Sequence, residues 1–157
     1  MEARLNFLGI PLAHKVRQHM VAAQIEVARA GVPQATQELV KIRVSQINGC
    51  GFCVDMHTKE AAHAGETSTR LNLVAAWREA TVFTDAERAA LELAEQGTRL
   101  ADTPGGVTDE AWQNAAKYYD ETQLMALVSV IAITNAFNRA NAITRQAAGE
   151  YHVGMFG

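Results

Sequence analysis

Cys50 and Cys53 are the chain's two cysteines, and they stand in the run Cys50-Gly51-Phe52-Cys53, with His57 four residues after the second and Glu38 twelve residues before the first. One pair cannot build the multi-bridge framework of a small secreted protein. In a reducing compartment, cysteines spaced this way more often do chemistry or hold metal. The turn signal Asn48-Gly49 lies just ahead of them, which predicts that Cys50 opens a helix running to about Ala64. On such a helix positions i, i+3 and i+7 fall on one stripe, so Cys50, Cys53 and His57 share a face. Unpaired N–H groups and the dipole at a helix N-terminus favour thiolate over thiol. His57 can accept the thiol proton, and a carboxylate such as Glu38 can orient or recharge its imidazole. As a thiolate, Cys53 can attack the O–O bond of a peroxide, releasing alcohol or water and leaving a sulfenic acid; Cys50, one turn away, can then resolve it to a disulfide. An external dithiol must reduce that disulfide by exchange, so the chemistry calls for a hydroperoxide substrate and a reductant partner, and for no cofactor.

These four residues at these spacings resemble the carboxymuconolactone decarboxylase-like superfamily and, within it, the alkylhydroperoxidase D (AhpD) core. The resemblance covers about Glu38 to Gly65. It implies an all-α build, with Cys53 as the peroxidatic cysteine, Cys50 as the resolving one, and Glu38 with His57 as a proton relay through water. It also implies a homo-oligomer, commonly a trimer or hexamer. The decarboxylase branch uses no cysteine pair, so retention of Cys50 and Cys53 argues for the redox branch. Phe52 is a departure, because AhpD enzymes carry a histidine directly before the second cysteine. A phenyl ring cannot relay protons; it adds apolar surface beside Cys53, which places Phe52 in the substrate pocket and favours bulky alkyl hydroperoxides.

A metal site is the competing reading. Cys50, Cys53, His57 and His63 form C-x2-C-x3-H-x5-H, and thiolates with imidazoles bind zinc well. His63, however, lies ten residues after Cys53, about 280° round a regular helix, and structural sites gather their ligands from two elements rather than one. No metal ligand is therefore assigned. The alternative to the enzyme is a zinc-stabilised or redox-silent helical oligomer that binds a small molecule or a protein partner. His14, His19, His63 and His152 have no recognisable partner and default to the surface; Trp77 and Trp112 default to core or interface. Near the C-terminus, Asn135, Asn138, Arg139 and Asn141 interrupt an apolar run. They pair across a subunit interface, bond back to the active-site helix, or face solvent.

The elements that must position this motif read as helix after helix, with no strand pattern. Predicted helices run Pro11 to Ala30, Pro33 to Ile47, Cys50 to Ala64, from a Ser68 cap to about Ala80, and Asp85 to Leu100 behind a Thr84–Glu87 capping box. Two more follow: one capped by Thr108 and running to Tyr119, the other opened by Asp120 with Gln123 and ending before Gly149. The fold class is all-α with about seven helices, and 157 residues suit one domain, 1–157, around the 38–65 motif. A hydrophobic fraction of 48% supports a folded core, and a net charge of −3 without a basic run excludes the electrostatic footprint of a nucleic-acid binder. The most apolar stretch, Leu124 to Phe137, is too short and too interrupted to span a bilayer, and no secretory h-region opens the chain, so the expected location is the cytoplasm.

Overall fold

The computed structural model describes residues 2–5 and 9–156. Among them are seven α-helices and no strand: α1 (Pro11–Ala28), α2 (Gln34–Ile47), α3 (Gly51–His63), α4 (Ser68–Leu73), α5 (Asp85–Thr98), α6 (Asp109–Ala115) and α7 (Glu121–Thr144). No helix among the described residues is long and apolar enough to cross a membrane.

The central helix is α2, which packs against α3, α5 and α7, while α1 lies along α7 and α6 against α5. The burial pattern of α2 explains its place. Leu39, Val40, Ile42 and Val44 are fully buried on both sides of the helix, which suits a strut covered all round rather than an amphipathic surface helix. Val40 and Val44 face a core shared with Leu93, Leu127 and Ile131 from α5 and α7. Leu39 and Ile42 face a second cluster with Trp77, Phe83 and Leu91.

Of the caps read from sequence, Thr84, Thr108 and Asp120 form as expected, while Ser68 gives way to Thr67. Thr84 accepts from the Glu87 amide while Glu87 accepts from the Thr84 amide, and Asp120 and Gln123 do the same at the start of α7. The predicted Ser68-to-Ala80 helix is shorter in the structure. It starts under a Thr67 cap, stops at Leu73, and continues only as a 3₁₀ turn, Val74–Ala76. Past that turn Arg88 holds the segment in place of a continued helix, its guanidinium donating to the carbonyls of Trp77 (2.9 Å), Arg78 (2.8 Å) and Ala80 (2.9 Å). Two ends also move inward: α6 stops at Ala115 rather than Tyr119, and α7 at Thr144 rather than just before Gly149. Arg145 takes the left-handed conformation there, at φ 56°, a place glycine usually fills. Arg4 offsets that cost by donating to the freed carbonyls of Thr144 (2.8 Å, backbone) and Ile143 (3.0 Å, side chain).

Candidate active site

The site forms where α3 begins. Gly49 turns the chain at φ 65°, which lets the Cys50 amide bond back to Ser45 O at 3.0 Å. Cys50 is then the N-cap of α3, its Sγ accepting from the Cys53 amide at 3.3 Å. Cys50 and Cys53 are joined by a disulfide, and both are buried. Gly51 has a packing reason: a Cβ there would sit 3.2 Å from Ala148 Cβ, so glycine lets the segment after α7 close onto the start of α3.

One turn beyond Cys53, the buried His57 meets Glu38 from α2, with Nδ1 3.0 Å from Glu38 Oε2. The other carboxylate oxygen accepts from Lys41 Nζ at 2.8 Å, one turn along α2. Burial, the largest single influence, pushes the Glu38 pKa up. The hydrogen bonds and charges of His57 and Lys41 together outweigh it and bring the value down to about 2. Glu38 is therefore a carboxylate at any working pH. With Nδ1 committed to it, Nε2 is the imidazole nitrogen left to exchange a proton.

The opposite wall is α7. Asn141 Nδ2 donates to Cys53 Sγ at 3.2 Å, and Asn138 Nδ2 donates to Ser45 Oγ at 3.1 Å. Asn48 Nδ2, in the turn before Cys50, donates to Asn135 Oδ1 and Asn138 Oδ1, both at 3.0 Å. Asn141 thus ties α7 to the helix carrying the cysteines, while Asn135 and Asn138 tie it to the end of α2, so these asparagines bond within the chain. Arg139 is exposed and donates to Asn135 Oδ1 at 2.9 Å.

Cys53, His57, Glu38 and Phe52 all line one cavity of about 730 Å³, and Cys50 is not among its lining residues. The four residues singled out by spacing are thus gathered in space, and Phe52 joins the cavity wall. Its ring stands edge-on to Tyr151 (6.3 Å between centroids) and beside Phe156 (6.1 Å). Both aromatics come from the C-terminal tail, which is strapped to α3. Asp55 Oδ2 accepts from the amides of Gly149 (2.8 Å) and Tyr151 (3.2 Å), Lys59 donates to Tyr151 O (2.7 Å), and the Tyr151 hydroxyl bonds Glu60. Sequence reasoning missed Lys41, Asn141's contact with Cys53 and the tail. Lys41, at i+3 from Glu38, carried a usable signal; the tail has no periodicity to read. His63 is exposed at the end of α3, as are His14, His19 and His152. The described residues contain no group of three or more His, Cys, Asp or Glu placed to hold a metal. Trp77 is buried and donates to Glu95 at 3.0 Å, whereas Trp112 is exposed, contrary to a core placement.

A family model described as the carboxymuconolactone decarboxylase family matches residues 11–96. YdfG of Bacillus subtilis (strain 168), an uncharacterized protein, is 41% identical over 123 residues, which cover 78% of this chain and 82% of YdfG. Alkyl hydroperoxide reductase AhpD of Rhodopseudomonas palustris is 35% identical over 74 residues, 45% of this chain and 41% of that enzyme. A crystal structure from Agrobacterium tumefaciens, of a protein of unknown function proposed as an AhpD antioxidant-defence protein, matches with a TM-score of 0.85. That match has 31% identity and covers 96% of this chain and 100% of that one. The similarity to an alkyl hydroperoxide reductase and to a family named for a decarboxylase sets the chain among enzymes. With the family model spanning more than half of its length, and Glu38, Cys53 and His57 around one cavity with Cys50 bonded to Cys53, the chain belongs to the carboxymuconolactone decarboxylase family.

Proposed function

We propose that this chain is a thiol-dependent peroxidase that reduces organic hydroperoxides through Cys53 and Cys50, with Glu38 and His57 relaying the proton. The observation that carries the reading is the placement of Cys53 on the wall of the cavity that His57 and Glu38 also line, with Cys50 bonded behind it. In the reduced enzyme, His57 takes the Cys53 proton through water and the thiolate attacks the terminal, hydroxyl-bearing oxygen of R–O–O–H. The S–O bond forms as the O–O bond breaks, and the departing alkoxide takes a proton to leave as alcohol, with sulfenic acid on Cys53. Cys50 then attacks that sulfur, its S–S bond forming as water leaves. An external dithiol reduces the Cys50–Cys53 bond and becomes a disulfide itself, which suits a reducing compartment such as the cytoplasm. Asn141 holds the Cys53 sulfur by a donated hydrogen bond, favouring its negative form.

The test is a stoichiometric addition of cumene hydroperoxide to the reduced protein, read by intact mass and free-thiol count. The expected result is a loss of two hydrogens, no remaining free thiol and one equivalent of cumyl alcohol. Unchanged thiols with zinc in the protein would instead make it a metal-stabilised helical binding protein.

A further inference from the structure

The cavity beside Cys53 carries ionisable groups of both signs. Glu38 is held by Lys41 and His57, Glu60 receives the Tyr151 hydroxyl, and Glu150 is exposed at the rim. Arg17 is different. It reaches the cavity from α1 with its guanidinium 5.1 Å over the Phe156 ring, and its buried Nε has no hydrogen-bond partner. A second orphan lies on the α7 wall of the same cavity: Thr134 is 1% exposed, and its Oγ1 has no partner either. A guanidinium can only donate, and Arg17 has no ion pair among the described residues, so the cavity presents a cation with no anion of its own. Gln24, Gln34, Asn141 and Gln146 add neutral polar groups to the wall, and an apolar part is formed by Phe52, Met56, Phe137, Met155 and Phe156. A volume of about 730 Å³ holds a ligand of drug or fatty-acid size.

We propose that the cavity is built for amphiphilic hydroperoxides, with Arg17 pairing a substrate carboxylate while the hydrocarbon lies against the aromatic wall and the peroxide reaches Cys53. This names the substrate class of the peroxidase and rests on that reading. A carboxylate fits better than a neutral polar end because the planar fork of arginine matches it bidentately. Stacking on Phe156 holds the guanidinium in place before the substrate arrives.

The experiment has a binding arm and a turnover arm. Oleic acid and its methyl ester are titrated calorimetrically, below their aggregation limits, into the wild type, Arg17→Met and Arg17→Lys. Linoleic acid hydroperoxide and its methyl ester are compared as substrates in the same three proteins. The wild type should favour the acid in both arms. Arg17→Met should lower affinity and kcat/KM for the acid about tenfold while leaving the esters within about twofold, as loss of one charge-assisted pair implies. Arg17→Lys should keep part of the preference. Equal binding of acid and ester by the wild type, or equal losses for both in Arg17→Met, would overturn the assignment and leave Arg17 as a stacking support for Phe156. A wild type that consumes no hydroperoxide yet binds oleate over its ester would sink the peroxidase reading and uphold the carboxylate site.

Discussion

Glu38 gains its importance from what surrounds it, since an isolated glutamate on a helix is usually a solvated one. Held by Lys41 and His57, its folded-state pKa of about 2 lies below the ordinary carboxylate value of 4.5. The ionised network therefore contributes stability that is fully present above about pH 5 and is lost as pH falls toward 2. Glu38→Gln should cost on the order of 2 kcal/mol at pH 7 and roughly half that or less at pH 3, measured by urea unfolding. An equal cost at both pH values would mean that the carboxylate charge plays no part. The proposed catalytic role of His57 is tested by rate. If its task is to deprotonate Cys53, His57→Ala should lose most activity near pH 7 and regain much of it above about pH 8.5, where a thiol ionises unaided. A deficit constant across pH would give His57 another role. The cysteines should be unequal as well. Cys53→Ser should consume no peroxide, whereas Cys50→Ser should consume about one equivalent and leave a sulfenic acid on Cys53 that dimedone traps. Trapping on Cys50 in Cys53→Ser would reverse the two roles.

Helices whose starts are set by local chemistry were readable from sequence, and those whose ends are set by distant partners were not. Thr84, Thr108 and Asp120 sit three residues before the amides they cap, so three helix starts follow from short-range spacing alone. The segment after α4 is held by Arg88, and the end of α7 by Arg4, more than a hundred residues away in sequence. The site divides in the same way. Cys50, Cys53 and His57 lie on one helix, so their common face was legible, and Glu38 was legible only through its spacing. The bond from Asn141 to Cys53 spans 88 residues, and the tail of Tyr151 and Phe156 docks through backbone amides that any sequence supplies. That tail makes Phe52 part of an aromatic wall rather than a lone substitution. Phe52→His should lower the rate ratio of cumene hydroperoxide to hydrogen peroxide, mainly through the bulky substrate, because about 25 cal/mol is lost per Å² of apolar contact removed. An unchanged ratio would make Phe52 packing for Tyr151 and Phe156 only.

At the scale of the whole molecule, the last helix buries one face and leaves an apolar one open. Thr134, Asn138 and Asn141 point inward, while Met125 (61% exposed) and Ile143 (66% exposed) lie on the other side, 18 residues and five turns apart. Ala132 and Ala136 are exposed between them on the same stripe. Solvent-facing helix surfaces are normally charged or polar, and a stripe of small residues between two large apolar ones allows another helix to approach closely. The α1 helix has no buried residue and exposes Leu12 and Val16, one turn apart on a common face. Covering such surfaces with further copies of the chain would bury them at about 25 cal/mol per Å², and it agrees with the homo-oligomer expected from the motif's resemblance. Ala136→Glu places a carboxylate in the middle of the α7 stripe, away from the cavity that Phe137 and Asn141 line. Light scattering during size exclusion should give a multiple of the 17.0 kDa chain mass for the wild type and a smaller species for Ala136→Glu. Circular dichroism should be unchanged between them. A wild type that runs as a monomer at micromolar concentration would show that the stripe is not a contact between copies. A mutant that keeps the wild-type mass would place the contact elsewhere, with the Leu12 and Val16 face of α1 the next to test by Val16→Glu.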